Sequence, residues 1–135
     1  MHPEWFVVSD KTADPAAPLV SITNGPHGRK LLTAMRAFVA DAAAGGMDVI
    51  VDDVCTAEDV ADYRQRLHRH NMLVVKVSVP VDEAERREKA RGDRMIGLAR
   101  EQDGRIHREI DYDFTVDNGD GSLAGNAREL LALFD

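Results

Sequence analysis

Residues 47–54 read Met-Asp-Val-Ile-Val-Asp-Asp-Val. Val49, Ile50 and Val51 are three β-branched apolar residues in succession, with no alternation between apolar and polar positions. That pattern predicts a strand covered on both faces, as in a parallel sheet. The carboxylates that follow, Asp52 and Asp53, then fall at the strand's carboxyl end. In open α/β folds ligands bind outside the carboxyl ends of strands, and a carboxylate there can hold Mg2+ directly or through water. A solvated strand end, or Asp53 capping the next helix, is the competing reading.

Both flanks extend the pattern. Downstream, Thr56 with Asp59 forms an acidic variant of the capping box. A helix to about His70 is expected behind it, with Val60, Tyr63 and Leu67 on its inner face. Met72 to Val79 (MLVVKVSV) reads as a second strand stopped by Pro80, and Asp82 to Ala90 as a charged helix. Phe114 to Val116 reads as a strand. Ser122 can cap a last helix through Leu133, with Leu123, Ala127, Leu130, Leu131 and Phe134 apolar.

Upstream, Gly45-Gly46 stops a helix from about His27 to Ala44, because glycine accepts the left-handed cap conformation. Its apolar residues Leu31, Leu32, Met35, Phe38, Val39 and Ala42 recur at helical spacing. Asn24-Gly25-Pro26 is a turn, Leu19 to Thr23 a short strand or extended lead-in, Lys11 to Pro18 a loop, and Trp5 to Val8 a strand. The alternation predicts an α/β fold, a parallel sheet with helices on both faces, in one domain over residues 1–135.

Composition narrows the function. Hydrophobic residues make up 44% of the 135, which argues for a packed core and against disorder. The formal net charge of −7 disfavours nonspecific nucleic-acid binding, which needs clustered cations; Arg86, Arg87, Lys89, Arg91 and Arg94 could still form a local basic patch. Cys55 is the single cysteine, so no disulfide forms within the chain, and a reducing cytoplasm is the expected compartment. The first residues lack the basic-then-apolar order of a signal peptide. No apolar run approaches the roughly 18–20 residues that cross a bilayer, so no membrane partner is expected.

The residues suited to chemistry are few. Arg91 and Arg94 are three apart, so on a helix they share a face. Paired guanidinium groups suit a phosphoryl group, and Gly92 between them suits a hinge. A solvated charge run from Glu83 to Arg94 is the alternative. Asp10 follows an apolar run and could take the proton of a substrate hydroxyl; otherwise it simply starts a loop. His107 reads as structural or substrate-facing. His68 and His70 with Cys55 make no zinc spacing, and Ser9, Ser21, Ser78 and Ser122 show no nucleophile elbow. Asn24 to Lys30 (NGPHGRK) lies between a strand and a helix, where a phosphate loop would lie. The required G-x-x-x-x-G-K-[ST] is not met, because the second glycine comes three after the first and Leu31 stands where the hydroxyl belongs. Pro26 also removes a backbone N–H from the cradle.

Taken as a spaced set, Arg91-Gly92-Asp93-Arg94, Gly97, Ala99, Gln102, His107, Tyr112-Asp113 and Val116-Asp117 resemble the lid and last-strand region of the chloramphenicol phosphotransferase-like family of P-loop small-molecule kinases. The Gly25-Pro26 turn, the long helix and the VIVDDV run match in order, and the resemblance extends from about Trp5 to Phe134. It implies an ATP-dependent O-phosphotransferase of the antibiotic-resistance kind, with Mg-ATP as cofactor and a hydroxylated small molecule as substrate. Asp10 then lies near the catalytic base, and Arg91 and Arg94 are lid arginines on the phosphates, within a lid-like segment of about 91–112. Asp52 and Asp53 take the acidic position that assists Mg2+, and Asp117 begins the loop past the adenine.

The family's first strand, Walker A loop and first helix have no counterpart in these residues. A truncated kinase-like domain is therefore expected, with ATP-dependent activity lost or impaired; the alternative is a non-catalytic pseudokinase that binds a small molecule or protein. The missing strand would leave Val49–Val54 and Met72–Val79 flanking a gap with unpaired backbone groups. Neighbouring strands could close it, Trp5–Val8 or Leu19–Thr23 could fill it, or a second chain could, which leaves a homodimer open.

Overall fold

The computed structural model describes residues 2–119 and 123–133. It is a mixed α/β arrangement built on two small sheets. Strands β1 (Phe6–Asp10) and β2 (Val20–Asn24) pair antiparallel, from Phe6 opposite Asn24 to Asp10 opposite Val20. Strands β3 (Val75–Ser78) and β4 (Phe114–Asp117) pair parallel, Val75 opposite Phe114 and Ser78 opposite Asp117. Helix α1 (Pro26–Ala44) follows β2, and α2 (Ala57–Arg66) packs against it. Helices α3 (Val81–Arg91) and α4 (Leu98–Arg105) pack together between β3 and β4, and α4 also touches β2. Helix α5 (Leu123–Leu131) lies against β4. Ser122 and Phe134, expected as cap and apolar contact of this last helix, lie outside the described residues.

The expected continuous parallel sheet does not form. Residues 47–56 make no strand, and Ile50 is 99% exposed. A strand exists only if a neighbour about 4.8 Å away completes its ladder. Here the two segments that could have closed the gap, β1 and β2, pair with each other instead. The Met72–Val79 strand shortens to Val75–Ser78 for the same reason: its one partner, β4, is four residues long.

Local signals behave as their chemistry dictates. Pro26 occupies the first turn of α1, where its missing N–H costs nothing. At the other end Gly46 takes the left-handed conformation (φ 83°), and Met47 N–H donates to the Ala42 carbonyl. The capping box is present: Asp59 N–H donates to Thr56 Oγ1 (3.4 Å) and Thr56 N–H donates to Asp59 Oδ2 (3.0 Å). Val60, Tyr63 and Leu67 are buried as expected, and Val39, Tyr63 and Leu67 form a core cluster joined by Cys55 and Met72. On α1 only part of the apolar stripe is covered, with Val39 and Ala42 buried but Leu31 and Phe38 open to solvent.

One core feature is charged. Arg36, on the buried face of α1, donates from Nε to Asp62 Oδ2 (2.7 Å) and from Nη1 to Asp59 Oδ1 (3.0 Å), and its guanidinium lies 5.8 Å from the Tyr63 ring centre. This clamp sets α2 against α1.

Candidate functional site

Asp53 lies in the turn before α2, where a helix rather than a strand positions it. Tyr63, two turns into α2 and only 5% exposed, donates its hydroxyl to Asp53 Oδ2 (3.4 Å). Cys55, two residues on, is half-buried. Burial, reinforced by the Asp53 charge, pushes both the thiol and the phenol up to about 12. Both therefore keep their protons near neutrality. Asp52 is exposed and makes no hydrogen bond or ion pair among the described residues.

Asp52 and Asp53 are adjacent in sequence, and only Asp53 has a side-chain hydrogen-bond partner among the described residues. Among the described residues no three His, Cys, Asp or Glu side chains form a closed metal cage.

The arginine pair is split. Helix α3 ends at Arg91 because Gly92 takes the left-handed conformation (φ 69°), so Arg94 is not on the helix and the expected shared face does not exist. Arg91 turns back on Asp93, Nε to Oδ1 at 3.2 Å, and this bond holds the Asp93 carboxyl below its ordinary value. Arg94 is exposed and makes no hydrogen bond or ion pair among the described residues. The base of this loop is fixed by a residue that no sequence motif singles out. Glu88 is buried, and its carboxylate accepts from Gly97 N–H and Ala99 N–H, each at 2.8 Å. It thereby caps α4, whose N-cap Gly97 offers no side chain. Arg87 likewise ties α3 to the turn after β4 through the carbonyls of Asn118 (2.9 Å) and Gly119 (3.1 Å).

Asp10 ends β1, exposed, with Oδ1 accepting from Thr12 N–H (2.9 Å). Hydrogen bonds from the Thr12 side chain and backbone hold its carboxyl below the ordinary range. Asp117 ends β4 and accepts from Gly119 N–H (2.8 Å). His107 Nδ1 meets the Tyr112 hydroxyl at 2.7 Å, and burial lowers the imidazole's pKa. No hydrogen bond or ion pair joins Asp10, Asp52, Asp53, Arg91, Arg94 and Asp117 to one another among the described residues. They fall at four places: the turn before α2, the α3–α4 loop, the end of β1 and, in the other sheet, the end of β4.

The Asn24–Lys30 segment is committed to packing. Gly25 N–H donates to the Trp5 carbonyl and His27 N–H to the Glu4 carbonyl, both at 2.8 Å, and Pro26 has no N–H. A Cβ at Gly25 would collide with the Pro3 and Glu4 carbonyls, and one at Gly28 with that of Trp5. These glycines admit the N-terminal chain against the helix. That chain takes up the backbone donors a phosphate loop would have to keep free.

A family model described as chloramphenicol phosphotransferase-like protein matches residues 5–134. Two curated proteins of Mycobacterium tuberculosis, from strains CDC 1551 / Oshkosh and ATCC 25618 / H37Rv, are provisionally named O-phosphotransferases. Each is 33% identical to this chain over 128 residues, which is 94% of this chain and 51% of the relative. The chain spans about half the length of the curated relatives it matches.

Proposed function

Because the chain belongs to the chloramphenicol phosphotransferase-like family, we propose that its residues carry the acceptor, metal and lid parts of an O-phosphotransferase acting on a hydroxylated small molecule. Mg-ATP, when bound, supplies the phosphoryl group and a cation that neutralises its charge. Asp10 orients the substrate hydroxyl and accepts its proton. A carboxyl held low is a weak base, which suits a reaction whose transition state asks more for positioning than for proton abstraction. Asp53, fixed by Tyr63, and the free Asp52 hold the cation. Residues 91–112 act as the lid, and closure brings Arg94, with Arg91 released from Asp93, onto the transferred charge. Asp117 starts the loop that passes the adenine.

The observation that carries this reading is the exposed Arg94, which has no hydrogen bond or close ion pair among the described residues and only the Asp93 charge nearby, on a loop whose base Glu88 pins. Such a group is ready for an anion and fixed where it must pivot. Within residues 1–135 no stretch has the G-x-x-x-x-G-K-[ST] pattern, so the triphosphate cradle is assigned to none of them. These residues by themselves are expected to transfer phosphate slowly or not at all.

Calorimetry with Mg-ATP tests the reading. Mg-dependent binding that Arg94→Ala weakens roughly ten-fold is expected, from the usual worth of a charge-assisted phosphate contact. Heats that are the same with and without Mg2+, and in Arg94→Ala, would overturn it. They would favour the second reading, a non-catalytic relative that binds a small molecule or a protein. The dispersal of the candidate residues over four places favours that reading. The apolar run at Val49–Val51 is the surface a second copy would cover in a homodimer.

A further inference from the structure

We infer that the moving part of the lid is confined to residues 93–96, which swing at Gly92 while Gly97 and α4 stay fixed in a seat shared with the β1–β2 hairpin. This rests on the lid role proposed above for residues 91–112 and narrows it.

The two sides of Gly97 are held very differently. Gly97 N–H and Ala99 N–H donate to the buried Glu88. The Gly97 carbonyl accepts from Val20 N–H (3.4 Å), and a Cβ at Gly97 would collide with the Pro18 carbonyl, so the hairpin lies directly on its backbone. Farther along α4, Arg100 grips Glu85 of α3 through two bonds (2.5 and 2.9 Å). The buried Glu101 accepts from Arg105 and lies 4.0 Å from the ammonium group of Lys11, the residue after Asp10. Residues 93–96 are exposed by contrast, and among the described residues they are hydrogen-bonded only to Arg91 and Leu98. Both members of the Arg91–Asp93 pair are open to solvent, so it restrains little. Gly92 is left-handed (φ 69°), and nothing lies within 4 Å of where its Cβ would be, so the chain has room to turn there. Four residues span at most about 14 Å. Such a loop brings one cation, Arg94, to an anion without folding over an acceptor, and the hairpin that carries Asp10 keeps its place as the loop moves.

Amide hydrogen exchange of the 135-residue chain, with and without inorganic tripolyphosphate, decides the matter without any turnover. Amides of residues 93–96 are expected to exchange at nearly unprotected rates, and those of residues 101–105 about a hundred-fold more slowly. Tripolyphosphate should slow residues 93–96 several-fold and leave residues 101–105 unchanged. Glu88→Ala removes the acceptor for both Gly97 N–H and Ala99 N–H, and it should speed exchange at residues 101–105 about ten-fold while α2 keeps its protection. Residues 101–105 exchanging as fast as 93–96 in the wild-type chain would overturn the inference, because α4 would then belong to the moving part. Tripolyphosphate slowing both segments together would overturn it as well, since the whole of 93–105 would close as one. A wild-type contrast between the segments with no response to tripolyphosphate would remove the lid role, leaving the division into loop and seat. If Glu88→Ala does not fold, the wild-type comparison decides alone.

Discussion

The run Val49–Val51 and the stretch Asp53–Leu67 adjoin in sequence and differ in almost every physical respect. The first is more apolar, yet Val49 is 41% exposed, Val51 39% and Ile50 99%. The second is rich in charge, yet it holds the buried Val60, Tyr63 and Leu67 and is clamped to α1 through Arg36. Apolar composition supplies a reason to be buried; only a neighbour with matching geometry supplies the burial. Helix α2 completes its own backbone hydrogen bonds and needs just one apolar face covered. A strand needs another strand on each buried edge, and the run at 49–51 has none.

Four substitutions or conditions probe that contrast. Arg36→Ala strikes the clamp hardest, because it leaves the partly buried Asp59 without its cation and Asp62 with Arg66 alone, on its own helix. A loss of about 3 kcal/mol in urea unfolding is expected, and a loss below about 1 kcal/mol would mean that apolar contacts alone seat α2. Next comes Gly97→Ala, at the second place where fixed and free residues meet. The residue has φ 94° and its Cβ would collide with the Pro18 carbonyl, so a cost of about 2 kcal/mol follows from strain at a left-handed position.

Acid gives a smaller effect. The Asp62 carboxyl is held below its ordinary value: burial opposes this, and the hydrogen bonds from Arg36 and Arg66 outweigh it. A carboxyl lowered on folding contributes stability that is present above its unfolded pKa of about 4 and is lost as pH falls through the folded value. Unfolding midpoints measured from pH 6 down to pH 3 should therefore drop more steeply for wild type than for Asp62→Asn. Ile50→Lys should do least, within about 0.5 kcal/mol, as for any exposed site. A cost above 2 kcal/mol there would show that the run is covered in solution and erase the contrast.

The sequence is most legible where a signal is local. Thr56 and Asp59 are three apart and need only each other, so the capping box can be read directly, and it forms. Val60, Tyr63 and Leu67 repeat at the period of a helix, and they are buried. Gly45-Gly46 marks the end of α1, although Gly46 takes the left-handed place. Legibility fails where the partner is distant. The apolar run at 49–51 promises a strand, but pairing belongs to two segments and cannot be read from one. Arg36 sits among apolar positions with its acceptors 23 and 26 residues away, and nothing in its own neighbourhood announces a clamp. Spacing puts Arg91 and Arg94 on one face, and it fails at Gly92, whose role as a helix stop outweighs the periodicity. Of the candidate site, the residue types are legible and their grouping is not. Asp53 can be named, but Tyr63 reads only as core, and its hydroxyl is what gives Asp53 a fixed orientation.

The direct test is amide hydrogen exchange followed segment by segment on the 135-residue chain. If the Asp53 carboxylate is placed by α2 rather than by a strand, amides of Val49–Val51 should exchange at nearly unprotected rates while those of Val60–Arg66 are slowed by orders of magnitude. Protection at Val49–Val51 equal to that of α2 would mean that a paired strand carries Asp52 and Asp53, contradicting the placement described above.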